Sequence, residues 1–432
     1  MTGAAHRAIG GRAHGEVWAR LATERAVATA ALAAVALHVV DDAFLQPEPG
    51  TSPADHVFGG LVPAALLAAA AVAWPRVRPG TRATWALLAG YFGVLTGSEA
   101  AYYARHGGPA GDDFTGMLAA LGGVVLLVVG AVTLWRYRRT DDPLLLRFVR
   151  RLAIAAGALV LAAVVLFPTA VAYVVTHTAR AEVPTATLGA AHEDVAFTTS
   201  DGLRLEGWFV PSRNSATVIA FPGRSGPRKH ARMLARHGYG VLLFDRRGEG
   251  ASEGDPNALG WHGDRDLAAA VDYLRGRPDV DPDRIGALGL SVGGEMAIHA
   301  AAGSDRLKAI VSEGASGQSV RDGIANGGLL HGLLDTGFVT VATALFADDL
   351  PPPSLKSEAP RIAPGAVFFV YGENGQGGTE TKPNRGFYAA AREPKRIWEV
   401  PEGQHIAGIT TRPAEYERRV IGFFDEHLRP ER

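Results

Sequence analysis

The chain has 432 residues, which is too long for one ordinary domain and sufficient for two. Its charges nearly cancel, with 43 lysines and arginines against 44 aspartates and glutamates, so nothing in the composition points to a nucleic-acid partner. There is no cysteine, which excludes disulfides and thiolate catalysis and leaves the redox compartment open.

Five apolar segments precede residue 180 and predict a transmembrane domain over residues 1–180. A helix rises about 1.5 Å per residue, so segments near twenty residues match the thickness of a bilayer core. Residues 124–129 are apolar on all sides, with no polar stripe to face water. The third segment is the weakest, because residues 97–99 (Gly-Ser-Glu) interrupt it. The predicted spans cover about residues 26–45, 57–74, 83–103, 117–135 and 152–175.

Arginines alternate between the loops and predict the orientation of these spans. They precede span one, fill the loop between spans two and three, and cluster between spans four and five, whereas the other loops are mainly acidic. This pattern places the N-terminus in the cytoplasm and everything after span five outside it. Asp41 and Asp42 follow the first apolar run without a small-residue cleavage site, which argues against a cleaved signal peptide. The arginines concerned are Arg7, Arg12, Arg20, Arg25, Arg76, Arg78, Arg82, Arg136, Arg138, Arg139, Arg147, Arg150 and Arg151.

Several ionisable residues lie at the outer ends of the predicted spans: His38, Asp41 and Asp42 on the first, Glu99 and His106 on the third, and His56 between the first and the second. His38 and Asp41 are three residues apart and therefore share a helix face. A metal or proton site shared between helices is one interpretation. The interpretation that the sequence favours is that they mark the water boundary, where a charge stays solvated.

The hydrophobic period changes after a short linker predicted at residues 181–192, which contains Pro184 and Gly189. Two alternating runs surround residues 200–202 (Ser-Asp-Gly), as is typical of a β-hairpin. Strand and helix patterns then alternate to the end of the chain. The sequence therefore predicts an α/β domain over residues 193–432, with a mostly parallel sheet wrapped by helices. The predicted strands are 195–199, 203–210, 217–221, 240–244, 284–288, 307–311, 366–371 and 396–400.

One pentapeptide of this domain predicts a catalytic nucleophile. Gly289-Leu290-Ser291-Val292-Gly293 is a G-x-S-x-G motif between a short apolar strand pattern and an alanine-rich helical pattern. A strand, a sharp turn and a helix are the context of a nucleophile elbow, which presents the serine hydroxyl at a helix N-terminus. Side chains two positions from the serine must be nearly absent, and the two glycines meet that requirement. Ser291 is therefore the predicted nucleophile; a plain turn before a packed helix is the alternative.

Chain order predicts the base, because the acid and the histidine of such an enzyme follow the serine on loops beyond later strands. His405 follows the last predicted strand, and the one later histidine, His427, lies inside the predicted closing helix. The acid stays open among three glutamates. Glu380 is preferred because it lies beyond a glycine-rich loop that can fold back towards the imidazole; Glu373 and Glu313 follow in that order.

Two backbone amides are predicted to form an oxyanion hole. One is the amide of Val292, directly after the serine, and the other comes from the loop after the third strand, residues 221–226. Pro222 has no N–H, so Arg224 is the predicted second donor, with Gly223 letting the backbone turn its amides inward. No cluster with the spacing of a zinc site occurs in this domain, and we expect neither a metal nor a cofactor.

With these motifs, residues 193–430 resemble the α/β-hydrolase superfamily. The likeness includes Asp245-Arg246-Arg247-Gly248-Glu249-Gly250-Ala251-Ser252-Glu253-Gly254, which is similar to the family's D-x-R-G-x-G-x-S-x-G turn. The chain also resembles a membrane-anchored branch of actinobacterial α/β-hydrolases. The resemblance implies serine-dependent hydrolysis of an ester, amide or thioester, and no particular substrate. The family pattern is not kept at Pro222, at Gly375, where the fold commonly has its aspartate, and at Gln404, where a glycine often precedes the histidine.

The sequence thus favours a membrane-anchored serine hydrolase in which Ser291 forms an acyl-enzyme while His405 takes its proton. The alternatives are an acyltransferase with the same triad and a non-catalytic membrane sensor with a hydrolase-like binding domain. Residues 322–353 lie where this fold commonly inserts a cap, and their apolar stretch 337–346 suits a pocket roof, a lipid contact or a core helix. The expected partners are a small-molecule or lipid-like acyl substrate and the lipid bilayer, and the membrane tether makes lipid-like or cell-envelope esters attractive. The oligomeric state stays open.

Overall fold

The computed structural model describes residues 23–429 except 107, 139–142 and 182. The described residues fall into two compact units, the first within 1–47 and 52–173 and the second within 48–51 and 174–432. Four of the arginines used for the predicted orientation, Arg7, Arg12, Arg20 and Arg139, lie outside the described residues.

Four helices in the described part of the chain are long and apolar enough to cross a membrane. The third predicted span is not among them. Its residues form the helix Pro79–Thr96 and the short helix Ser98–Tyr103, which meet at Gly97. The longer helix is less apolar because it carries Arg82 and three threonines. The four candidate spans are Thr23–Leu45, Pro53–Arg76, Asp113–Arg136 and Leu144–Thr176.

The helix Pro79–Thr96 approaches Asp113–Arg136 closely at a row of glycines. A Cβ added to Gly90 would lie 2.8 Å from the carbonyl oxygen of Gly123. Such close approach of two backbones is typical of helix pairs in membranes, where small residues allow van der Waals contact and the hydrophobic effect does not drive association. The third predicted segment is therefore packed like a membrane helix although it is not apolar along its whole length.

The last candidate span is longer than the sequence predicts. It begins at Leu144, so Arg147 and Arg150 lie within the helix and not in a loop before it. Pro168 does not end the helix, because a π-helical turn, Ala162–Leu166, comes directly before it. Such a turn accommodates the hydrogen bond that proline cannot donate.

His38 and Asp41 are buried and do not mark a water boundary. Nε2 of His38 lies 3.3 Å from the carbonyl oxygen of Thr96, and its Nδ1 lies 3.3 Å from Oγ1 of Thr115. The same threonine hydroxyl donates to Oδ2 of Asp41 at 2.7 Å. Hydrogen bonds thus offset the cost of removing these groups from water, and the interpretation favoured by the sequence is wrong for both residues.

The second unit contains an eight-stranded sheet in the order β1-β2-β4-β3-β5-β6-β7-β8. The first two strands form the predicted antiparallel hairpin, β2 pairs antiparallel with β4, and the remaining pairs are parallel. This confirms the predicted α/β class with a mostly parallel sheet. The strands are β1 Glu193–Thr198, β2 Arg204–Val210, β3 Thr217–Phe221, β4 Gly240–Phe244, β5 Ile285–Leu290, β6 Ala309–Glu313, β7 Ala366–Gly372 and β8 Lys395–Val400.

Helices cover both faces of this sheet. Gly263–Arg275 and Val292–Gly303 pack on one face, while Arg228–Arg236 and Pro413–Leu428 pack on the other. Strands β3 to β7 are consequently buried along their whole length, which explains why they are mostly apolar and do not alternate. The carboxyl ends of the parallel strands meet at one edge, where loops can bring side chains together.

Residues predicted as a linker pack onto the second unit. Leu188 is fully buried in its core. Nε of Arg232 donates to the carbonyl oxygen of Thr187 at 3.0 Å, and Nη2 of Arg228 donates to that of Pro184 at 2.6 Å. This segment is therefore a part of the second unit and not a free tether.

Candidate active site

Ser291 lies on a strained turn between β5 and the helix Val292–Gly303, which we name the elbow helix. Its backbone has φ 54° and ψ −121°, a conformation that costs a non-glycine residue of order 1–3 kcal/mol. The amide of Ser291 donates to the carbonyl oxygen of Glu313 at 2.7 Å, and its own carbonyl accepts from the amide of Gly294 at 2.8 Å. These bonds hold the turn in place beyond the carboxyl end of a middle strand.

Two glycines are required by close contacts across this turn. A Cβ on Gly289 would lie 2.2 Å from the carbonyl oxygen of Gly293, and a Cβ on Gly293 would lie 2.7 Å from Cδ of Pro222. Because these neighbours are backbone or a proline ring, no flexible side chain can turn away to make room. The G-x-S-x-G spacing is thus a steric requirement of a sharp turn packed against the loop after β3.

The structure brings Ser291, His405 and Glu380 together. Nε2 of His405 lies 2.9 Å from Oγ of Ser291, and Nδ1 of the same ring contacts Oε1 of Glu380. The Glu380 side chain has no exposed surface, whereas the His405 side chain is 30% exposed. When Nδ1–H donates to the carboxylate, the ring presents an unprotonated Nε2 to the serine hydroxyl, as a general base requires.

The loop after β6 forms a wall behind the imidazole. Gly314 has φ +75°, and a Cβ there would lie 3.1 Å from Nδ1 of His405. The loop that carries the histidine is itself tightly turned, with φ 59° at Glu402 and 50° at Ile406. The ring therefore has little freedom to rotate away from the serine. Gly314 directly follows the observed strand β6 but lies three residues beyond the predicted strand 307–311, so no local signal in the sequence pointed to it.

Glu380 reaches the histidine by filling space that a side chain at residue 375 would need. A Cβ added to Gly375 would lie 2.2 Å from Oε2 of Glu380. That oxygen also accepts from the amide of Gly372, the last residue of β7, at 3.2 Å. Glu380 directly precedes the helix Thr381–Ala390, so the glycine-rich loop folds back and returns its carboxylate to the strand end.

The other two candidate acids accept hydrogen bonds from the residues around His405 and not from its imidazole. Oε2 of Glu373 accepts from the amide of Glu402 at 2.9 Å. Glu313 is buried and accepts from the amide of Gly408 at 2.9 Å and from the hydroxyl of Tyr416 at 2.6 Å. Burial and this nearby carboxylate raise the pKa of Tyr416 well above its ordinary value. Both glutamates therefore position the loop, each on a different side of the histidine.

The two predicted oxyanion donors have different surroundings. Val292 is the first residue of the elbow helix, and amides in a first helical turn have no acceptor within the helix. The amide of Arg224, in contrast, donates to Oδ1 of Asp245 at 2.9 Å, and its Nε donates to Oδ2 at 2.7 Å. A buried carboxylate thus engages the Arg224 amide, contrary to the prediction that this amide faces the oxyanion.

A buried carboxyl that the sequence analysis did not single out lies one turn after the nucleophile. Oε1 of Glu295 accepts from the amides of Ser316 and Gly317 at 3.2 and 3.1 Å. Glu295 thus ties the elbow helix to the loop that forms the wall behind the imidazole. Burial raises its pKa to about 7, although these hydrogen bonds favour the carboxylate. A glutamate four residues after the serine is the signal that could have found it.

We expect Glu295 to make the stability of the protein depend on pH. Its folded pKa of about 7 exceeds the ordinary 4.5, so the folded state binds more protons between these values and the free energy of unfolding falls as pH rises. Glu295→Gln removes this titration. The Tm of the variant relative to wild type should therefore rise by several degrees from pH 5 to pH 8. The corresponding change in the difference between their free energies of unfolding is about 3 kcal/mol at most.

The matched control for this prediction is Asp305→Asn, at an exposed aspartate before β6. Its Tm should follow that of the wild type at every pH, as measured by thermal unfolding of the purified full-length chain. Parallel pH profiles of Glu295→Gln and wild type would contradict the role of the buried carboxyl.

No candidate metal site emerges from the described part of the chain. Its histidine, aspartate and glutamate side chains form no group of three or more that could hold a metal ion. The expectation that the chemistry needs neither metal nor cofactor stays a prediction.

A mostly parallel sheet of this order, with a serine on a strained turn after a middle strand and a histidine beside it, defines the α/β-hydrolase class. A family model described as X-Pro dipeptidyl-peptidase (S15 family) matches residues 167–362. The chain is also 30% identical to the protein YfhR of Salmonella typhi, over 55% of this chain and 82% of YfhR. The chain therefore belongs to the α/β-hydrolase superfamily, and within it to the family that includes YfhR.

Other similar proteins cover shorter parts or share only the fold. The chain is 34% identical to the alpha/beta hydrolase domain-containing protein WAV2 of Arabidopsis thaliana, over 30% of this chain and 44% of WAV2. Among solved structures it is similar to an esterase from Pyrococcus furiosus, with 24% identity and a TM-score of 0.49, over 59% of this chain and 98% of the esterase. Membership of the superfamily supports a hydrolase activity of the serine-hydrolase type.

Proposed function

We propose that the chain is a membrane-anchored serine hydrolase that cleaves an ester, thioester or amide through Ser291, His405 and Glu380. The observation that supports it most directly is the 2.9 Å separation between His405 Nε2 and Ser291 Oγ, on a turn held in a strained conformation. Backbone strain of this kind concentrates at functional sites, where the surrounding structure maintains it. Esters are the substrates to test first.

In this mechanism Nε2 of His405 takes the hydroxyl proton of Ser291 as Oγ attacks the substrate carbonyl. The amide of Val292 and the N-terminal end of the elbow helix stabilise the oxyanion that forms. The imidazolium then protonates the leaving group, which leaves an acyl ester on Ser291. Water, activated by the same imidazole, attacks this ester and releases the acid.

Glu380 has two roles in this mechanism. It keeps the proton of the neutral imidazole on Nδ1, so that Nε2 is free to act as the base, and it stabilises the imidazolium. Because its side chain has no exposed surface, solvent screens this interaction little.

A fluorophosphonate probe tests the proposal, because it bonds stably only to an activated serine. We expect the full-length protein to be labelled, with the adduct on the tryptic peptide of residues 285–306. That peptide contains both Ser291 and Ser304, so fragment masses must place the adduct on Ser291. A folded protein that is not labelled would leave only a tethered binding module.

The location of the catalytic unit outside the cytoplasm is a separate proposal, supported by the arginines of the loops. It requires that residues 79–103 cross the membrane in addition to the four candidate spans, since an odd number of crossings separates the two ends of the chain. Protease added to intact spheroplasts should then remove the chain after residue 180 while a cytoplasmic marker protein stays intact. Cleavage only after lysis would show the opposite orientation.

A further inference from the structure

The exposed apolar side chains of the second unit are concentrated in one segment. Between residues 177 and 429, seven large hydrophobic residues of the described chain are at least 36% exposed, and all of them lie in residues 324–350. Concentrated exposure of this kind marks a surface that contacts something apolar. The seven are Ile324 (36%), Leu329 (63%), Leu330 (74%), Leu333 (49%), Leu334 (48%), Val341 (71%) and Leu350 (80%).

We name residues 324–350 the apolar cap. They lie between β6 and β7 and contain the helical pieces His331–Gly337 and Phe338–Phe346. From residue 327 to residue 346 the ionisable residues are His331 and Asp335, and the eleven residues 336–346 carry no ionisable side chain. The apolar cap therefore has the composition of a segment that enters the interfacial layer of a bilayer.

Contacts within the second unit place the apolar cap beside the end of the last candidate span. Val175 lies in the final turn of that helix, and its carbonyl oxygen accepts from the amide of Ala258 at 2.7 Å. The ring of His177, two residues further on, lies 6.0 Å edge-on from the ring of Phe346, the last residue of the helix Phe338–Phe346. If Leu144–Thr176 crosses a bilayer it ends at the bilayer surface, and these contacts at its end then favour a position of the apolar cap next to that surface.

The loop that contacts the end of the span also packs against the residue that follows Ser291. Within residues 257–262, Gly260 packs so closely that a Cβ there would lie 2.5 Å from Cγ2 of Val292, the residue after the serine. His262 of the same loop contacts Asp349 of the apolar cap. One loop thus connects the end of the span, the apolar cap and the elbow.

We infer that the apolar cap inserts into the bilayer surface and admits amphipathic lipid esters to Ser291 directly from the membrane. The chemistry rests on the proposed function, whereas the docking depends only on the apolar cap and its neighbours. A bilayer is the occupant because the last span ends beside this surface. The spans already hold the unit at the membrane, so insertion of the leucines takes place at a high effective concentration of lipid.

The absence of cysteine from the chain allows a site-specific test of docking. Full-length Leu330→Cys and Val341→Cys proteins can be spin-labelled and reconstituted in phosphatidylcholine vesicles. Both labels should collide more with oxygen, which dissolves in lipid, than with a water-soluble nickel chelate. Asp305→Cys, an exposed residue before β6 at the opposite edge of the sheet, should show the reverse. An aqueous pattern at residues 330 and 341 would overturn docking, whether or not the protein is active.

Serine variants test entry of the substrate from the membrane. The double variant Leu330→Ser/Val341→Ser should hydrolyse water-soluble p-nitrophenyl acetate at the wild-type rate. Its rate on a lipid ester in vesicles should fall about tenfold or more, because two apolar anchors are lost. Equal rates on vesicles, or equal losses on both substrates, would overturn entry through the apolar cap. If the wild type cleaves neither substrate, the proposed function fails, and the spin labels still decide docking.

Discussion

Ser291→Ala is expected to lower kcat/KM for ester hydrolysis by about 10⁴-fold or more, and to abolish labelling by a fluorophosphonate. Without the hydroxyl no acyl-enzyme can form, and only substrate binding and the amide of Val292 remain to assist attack by water. The measurement is the hydrolysis of p-nitrophenyl esters of graded acyl length by the full-length protein, which also reports the size of the acyl pocket.

The matched control is Ser304→Ala, which removes a hydroxyl at the other end of the elbow helix and should leave the rate unchanged. His405→Gln should cost about as much as Ser291→Ala, and the double variant should be no slower than either, because the two residues act as one unit. A folded Ser291→Ala protein that keeps more than about one per cent of the wild-type rate would contradict the assignment of the nucleophile.

The sheet could be predicted because the burial of its strands leaves a local pattern. β3 and β4 begin and end where the sequence predicts, since each is a short, mostly apolar run that ends before a residue unfavourable within a strand, Pro222 after β3 and Asp245 after β4. The serine could be predicted from local spacing and the histidine from chain order. None of these inferences requires knowledge of which distant residues meet.

The errors concern residues whose partners are distant in the sequence. The burial of His38 depends on Thr96 and Thr115, which are 58 and 77 residues away. The direction of the Arg224 amide depends on Asp245, which is 21 residues away. The third predicted span is not apolar enough to count as a candidate span, yet its helix packs closely against Asp113–Arg136. Its contacts come from backbone approach at glycines, which apolarity does not report.

The acid could be ranked from the sequence but its path to the histidine could not be derived. The loop between Gly372 and Glu380 turns back through left-handed conformations at Gln376 and Gly377, with φ 47° and 72°. A positive φ at glutamine is not visible in composition or periodicity. Only the folded loop shows that the carboxylate of Glu380 fills the space beside Gly375.

Moving the acid to residue 375 is expected to rescue its loss at residue 380. Glu380→Ala should lower kcat/KM by about 10³- to 10⁴-fold, because His405 loses the group that fixes its tautomer and stabilises the imidazolium. Gly375→Asp alone should also be strongly impaired, since its Cβ would lie 2.2 Å from Oε2 of Glu380 and two carboxylates would share a space without solvent. Gly375→Asp/Glu380→Ala should exceed both single variants by about tenfold or more.

Two control variants make this rescue specific to a carboxylate at the right place. Gly375→Ala/Glu380→Ala fills part of the same space without a charge and should stay as slow as Glu380→Ala. Glu373→Gln should change the rate little, since the glutamine oxygen can still accept from the amide of Glu402 and Glu380 remains the partner of the imidazole. If the losses of Gly375→Asp and Glu380→Ala simply multiply in the double variant, residues 375 and 380 do not compete for one position. The carboxylate beside His405 would then act through the loop it holds, and not as the partner of the imidazole.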